Sequence, residues 1–199
     1  MKDKAASLIR TVSIPPVMIT VLIIILYITK PDIFDNIFEV ILAILFLGFF
    51  PVLAYPAQSC FPEYRDEGRD GQRKLAFIFT LIGYTGALLW SLLAKVSTSL
   101  PLITTTYFLS VIMLTIINKV LHFKASGHAC SFTSPAIFLI YFSGWKWGII
   151  CIVFAVLIWW SSVYLKRHTN QQLIGGMVTC LAAFGISYAI LILLAPFLR

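Results

Sequence analysis

The sequence predicts an all-α fold, a polytopic transmembrane helix bundle of six or seven spans forming a single membrane domain over residues 1–199. Three observations predict it. Of the 199 residues, 60% are hydrophobic and only 12% are charged, against about 25% charge in a soluble domain. Mean hydropathy is +0.94. Apolar runs also recur along the chain at roughly the 20-residue length that a helix needs to cross a bilayer. The formal net charge of +7 points, in so apolar a chain, to cytoplasmic loops and anionic headgroups. There is no long Lys/Arg run and no soluble basic face, which sets nucleic acid aside as a partner.

The first span is expected over Val12–Thr29, with Pro15 and Pro16 near its start. Lys2, Lys4 and Arg10 precede it as in a secretory signal, but no small-residue cleavage site follows, so an uncleaved span is expected. The next spans are Ile37–Tyr55, Leu75–Val96 and Leu102–Leu121. The fifth, Ala129–Phe142, is short and holds Pro135, which makes a tilted or partly buried helix the alternative to a full crossing. Trp147–Leu165 and Leu173–Leu198 complete the set. Trp145, Trp147, Trp159 and Trp160 lie near span ends, as an interfacial aromatic belt requires. Gly175, Gly176 and Gly185 are expected to permit close helix packing. Cys60, Cys130, Cys151 and Cys180 form no C-x-x-C pair, so neither a disulfide framework nor a zinc site is indicated.

Polar residues gather in three segments, Glu63–Lys74, Lys124–His128 and Lys166–Gln172, each at the end of an apolar run. Charge at a membrane boundary marks a functional site by default. Two spans separate each segment from the next, so all three are expected at one membrane face. That face then carries eleven cations (Lys2, Lys4, Arg10, Arg65, Arg69, Arg73, Lys74, Lys119, Lys124, Lys166 and Arg167). The other carries four, Lys30, Lys95, Lys146 and Arg199. The positive-inside rule makes the polar face cytoplasmic.

The chemistry follows from residue types. Ser126 and Gly127 sit where a helix begins, and its free N–H groups suit an anionic oxygen. Lys124 adds a charge and His128 a transferable proton. His168 adjoins Arg167 in the third segment. Two imidazoles and several cations on one face fit phosphoryl transfer: one His attacks phosphorus, the other protonates the leaving alkoxide, and cations neutralise the equatorial oxygens. No metal and no cofactor is required.

These residues resemble the type-2 phosphatidic acid phosphatase superfamily of membrane lipid phosphatases over roughly residues 63–180. Its second signature, P-S-G-H, is matched by Ala125-Ser126-Gly127-His128. Its third, S-R-x5-H-x3-D, is matched by Ser161-Ser162-x5-His168-x3-Gln172. The resemblance implies His168 as nucleophile, His128 as general acid, and Ser126 and Gly127 as phosphate ligands, with Lys124 as an added cation. Arg73, then Arg69, stand nearest the arginine of the first signature, K-x6-R-P, which has no clean match.

Two departures bear on chemistry. Ser162 replaces the third-signature arginine, for which Arg167 is the substitute at hand. Gln172 replaces the aspartate that orients the nucleophile. No Asp or Glu follows Asp70. The ring of His168 is therefore expected to be oriented by Asp66, Glu67 or Asp70 folding over the site, or by Gln172 as a neutral amide. Asp66-Glu67-Gly68-Arg69-Asp70-Gly71 distantly resembles the acidic motif of CDP-alcohol phosphotransferases, but the later carboxylates of that motif are missing. The expected substrate is a lipid phosphomonoester or pyrophosphate of the phosphatidate, phosphatidylglycerophosphate or polyprenyl phosphate type, met at the bilayer. The alternative is a weak or inactive relative that binds or moves such a lipid. A homo-oligomer is compatible with either.

Overall fold

The computed structural model describes residues 2–94 and 96–194. The chain is an all-α bundle, 85% helical, with no strand among the described residues. Among the described residues, nine helices organise it. They are α1 (Lys2–Val12), α2 (Pro15–Thr29), α3 (Ile37–Cys60), α4 (Pro62–Arg65), α5 (Gly68–Leu93), α6 (Leu100–Lys119), α7 (Gly127–Ser143), α8 (Lys146–Tyr164) and α9 (Asn170–Leu194). Helices α3, α5, α6, α8 and α9 are each long and apolar enough to cross a membrane, and α1 with α2 makes a sixth as a bent pair. The protein is thus an integral membrane helix bundle, with five or six helices that are each long and apolar enough to span.

The N-terminal cations do not merely flank the first span; they belong to a helix of their own. Pro15 cannot continue α1 because its ring and missing N–H break the i→i−4 ladder. It also holds Ile14 extended, at φ −66° and ψ 149°. Pro15 and Pro16 then open α2 from positions where no N–H is needed. The two helices meet at 64°.

The doubtful fifth segment is the centre of the bundle. Helix α7 has 17 residues, about 25 Å at 1.5 Å per residue. It is buried without a break from Ala129 to Pro135, and again at Phe138 and Leu139. It packs on α2, α8 and α9. Its polar groups are answered locally: the Thr133 hydroxyl donates to the Ala129 carbonyl at 2.7 Å and the Ser134 hydroxyl to the Cys130 carbonyl at 3.2 Å. Such bonding is how hydroxyls survive in an apolar interior.

Helix α7 traverses the bundle beside α2 and parallel to it. At one end the Ser131 hydroxyl donates to the Ser13 carbonyl at 3.3 Å, and at the other Thr29 Oγ1 meets Ser143 Oγ at 3.5 Å. Helix α7 therefore runs the same length of the bundle as α2.

Close approaches depend on particular glycines. A Cβ on Gly48 would collide with the Thr20 hydroxyl, and one on Gly83 with the Phe46 carbonyl, which fixes α3 against α2 and α5. Gly176 lies against the Ser126 carbonyl and 2.9 Å from Ala129 Cβ, measured from the Cβ it lacks. Gly175 faces Phe123. Gly185 corrects the expectation made for it: nothing lies within 4 Å, so it mediates no close packing. At the end remote from the polar segments, the buried Glu39 carboxylate accepts from the Asp35 N–H at 3.1 Å and the Ser97 N–H at 3.0 Å. It thereby ties the start of α3 to the turn before α6. Buried Cys130 and Cys180, half-buried Cys151 and exposed Cys60 are all free thiols.

Candidate functional site

Two of the polar segments meet at one end of the bundle because a backbone bond joins them, and the charge of Arg73 from the third reaches His168. The Ser126 N–H donates to the Gln172 carbonyl at 2.9 Å, which fastens the start of α7 to the start of α9. Gly176 allows that approach. The Asn118 amide donates to the Ala125 carbonyl at 3.3 Å and holds the connection from α6. The 63–74 segment is shaped by Gln58, whose amide donates to the Tyr64 carbonyl at 2.9 Å and the Gly68 carbonyl at 2.8 Å.

His168 stands in the turn between α8 and α9. Lys166 ends α8 at φ 52°, a left-handed conformation that lets the chain double back. The Arg167 and His168 N–H groups then both reach the Ser162 carbonyl, at 3.0 and 3.4 Å. Thr169 begins α9 with a reciprocal cap: its hydroxyl accepts the Gln172 N–H at 3.3 Å, and Gln172 Oε1 accepts the Thr169 N–H at 3.3 Å. That same Oε1 lies 3.1 Å from His168 Nδ1. An amide oxygen only accepts, so Nδ1 carries the proton and Nε2 presents its lone pair. Burial lowers the pKa of His168 below the ordinary histidine value, as do the charges of Arg10, Lys124 and Arg73, against the Gln172 hydrogen bond that raises it. The shift favours the neutral imidazole.

His128 occupies the first turn of α7 and is largely buried. Ser126 caps this helix by accepting the Ala129 N–H at 3.2 Å. The Gly127 and His128 amides have no acceptor among the described residues. Nothing lies within 4 Å of the Cβ position of Gly127. The His128 ring sits 3.4 Å from the Arg10 carbonyl through Nε2, which therefore carries the proton. The charges of Arg10 and His168 both reach His128, so the two imidazoles share one electrostatic environment at one rim of the bundle.

The basic residues divide. Lys124 and Arg73 act on His168, and Arg167 acts on Arg10. Arg69 is exposed and forms no hydrogen bond or ion pair among the described residues.

The acidic loop does not fold over the imidazole. Asp66 pairs with Arg65 at 3.5 Å, Asp70 with Arg73 at 3.9 Å, and Glu67 with Lys74 at 2.8 Å. Local cations hold these carboxylates, and the neutral amide of Gln172 orients the ring. The spacing Thr169-x-x-Gln172 was the sequence signal for this arrangement, since a capping box fixes its N3 side chain.

Sequence reasoning missed Arg10, which it counted only as a topological charge. Helix α1 lies along α8, where the Tyr164 hydroxyl donates to Asp3 Oδ1 at 3.0 Å. This brings Arg10 to the imidazoles. The Arg10 side chain is half-buried, its Nη1 is out of solvent with no hydrogen-bond partner among the described residues, and the buried Ser162 hydroxyl likewise has none among them. Beside this polar end, an open apolar groove of about 600 Å³ is walled by Phe132, Ala155, Trp159, Trp160, Tyr164 and Met177.

Fold and site define a class, an integral membrane helix bundle with two imidazoles and a cluster of cations at one end. No family model, no curated protein and no solved structure matches the chain.

Proposed function

We propose that the protein is a membrane lipid phosphatase that hydrolyses a lipid phosphomonoester or pyrophosphate through a phospho-His intermediate. The observation that carries this reading is His168: its Nδ1–H is committed to Gln172 while its Nε2 has no hydrogen-bond partner among the described residues, and its charge reaches a second imidazole, His128. Nε2 attacks phosphorus, and the P–O bond to the lipid alkoxide breaks. His128, in the imidazolium form that the bound dianion favours, gives that alkoxide its proton. Water then attacks the phospho-His, His128 takes the proton, and inorganic phosphate leaves. Lys124 and Arg73 neutralise phosphoryl oxygens, and the free Gly127 and His128 amides donate to them. The groove beside α8 has the polarity and position that an acyl or prenyl chain needs. The excess of cations at this end favours a cytoplasmic site.

The test is phosphate release from phosphatidate, phosphatidylglycerophosphate and polyprenyl phosphates in mixed micelles. His168→Ala is expected to reduce release to background, and His128→Ala to slow it by about 10²- to 10⁴-fold. Release unchanged in His168→Ala would remove it as nucleophile.

A second reading, a protein that binds or moves a lipid phosphate without turnover, is favoured by Gln172. A neutral amide stabilises the imidazolium less than a carboxylate would. Saturable lipid-phosphate binding with no release from any substrate selects it.

A further inference from the structure

We propose that Arg10 is a phosphoryl-binding residue, its guanidinium completing an anion site with the free amides at the start of α7. Three observations converge. First, Arg10 Nη1 is out of solvent with no hydrogen-bond partner among the described residues. A buried charged donor without an acceptor costs free energy that an anionic ligand recovers. Second, position: the Arg10 carbonyl meets His128, and the charge of Arg10 reaches both His128 and His168. Third, charge balance: Arg167 and Arg73 act on Arg10, and Arg10, Lys124 and Arg73 act on His168, with no carboxylate among them. Several cations gather around two imidazoles, and of these only Arg73 has a carboxylate partner, the exposed Asp70 at 3.9 Å, which leaves Arg10 and Lys124 to define a place for an anion. A guanidinium presents the planar donor fork that matches phosphoryl oxygens.

The anion is a phosphoryl group, either free phosphate or a lipid headgroup. The assignment rests on the phosphate reading of the site but not on turnover. The experiment measures binding of inorganic phosphate to the full chain in detergent and of phosphatidate to the chain in nanodiscs, for wild type, Arg10→Gln, Arg10→Lys and Lys2→Gln. Arg10→Gln is expected to weaken binding by about 10- to 10²-fold. Arg10→Lys should recover part of the loss, and Lys2→Gln should bind as wild type. Arg10 dependence in the phosphatidate arm alone supports the proposal and identifies the source as membrane-borne.

Histidine ring NMR supplies the control for folding. The groups facing His168 are Arg10, Arg73, Lys124, His128 and Gln172. Loss of the Arg10 charge raises the His168 pKa, while a merely misplaced helix that keeps the cation, as in Arg10→Lys, leaves it low. Wild-type affinity in Arg10→Gln overturns the proposal, as does failure of the wild type to bind either ligand. Arg10-dependent binding without phosphate release from any lipid leaves the proposal standing and removes the phosphatase reading instead.

Discussion

The side chain of Gln172 is fixed before it meets the imidazole. Its oxygen already accepts the Thr169 N–H as half of a helix cap, so the contact with His168 adds little ordering cost. This couples the capping of α9 to the tautomer of His168. Gln172→Ala is expected to lower kcat by about 10²-fold through loss of ring orientation, read by steady-state phosphate release. Gln172→Glu keeps an acceptor for both N–H groups and adds a charge. Because His168 titrates below its ordinary value, the acid limb of kcat/KM lies below that value, and the rate falls as pH drops through it. A carboxylate favours the imidazolium, so in Gln172→Glu the limb moves to higher pH. An unmoved profile would show that His168 does not control the limb.

At the scale of elements, the placement of α9 against α7 sets the geometry of the site. Gly176→Leu forces a side chain into the Ser126 carbonyl and Ala129. The expected outcome is a loss of about 1–3 kcal/mol of stability from overpacking, with phosphate release lost as well, measured by thermal unfolding in detergent and by assay. Gly185→Ala, in open space on the same helix, is expected to be neutral or stabilising by about 0.5–1 kcal/mol. Glu39→Ala leaves two backbone N–H groups without their charged acceptor and is expected to cost about 3 kcal/mol.

The helices themselves were legible because an apolar run between polar segments has few other solutions in a bilayer. The third span begins seven residues earlier than its apolar run suggests, at Gly68 rather than Leu75. An exposed, charged first turn hydrates as well in a helix as in a loop. Helix α1 was missed for a related reason: its charges hid a helix that Pro15 separates from the span.

Across the whole molecule, parity led us to expect the polar segments at one end, and the bond from Ser126 to Gln172 joins the second and third of them. What parity cannot supply is which side chains meet. Asp66, Glu67 and Asp70 looked able to reach His168, but each has a nearer cation, and Coulomb attraction falls with distance. Arg10 lay too far away in sequence to be associated with either imidazole. Sidedness has a direct measurement. Cys60 is exposed at the end of α3, next to the polar end, while Cys130 and Cys180 are buried. An impermeant maleimide is expected to label Cys60 in inverted vesicles and not in intact cells. The opposite pattern would place the cationic end outside.

The hydrogen bond from Ser126 to the Gln172 carbonyl also orders events during biosynthesis. A nascent chain released into the bilayer through α8 has His128 in place but no strut for the loop before it, and no Gln172 to choose the tautomer of His168. That arrangement forms only once α9 has been made, so a chain truncated near residue 170 lacks both the strut for Ser126 and the partner of the His168 ring.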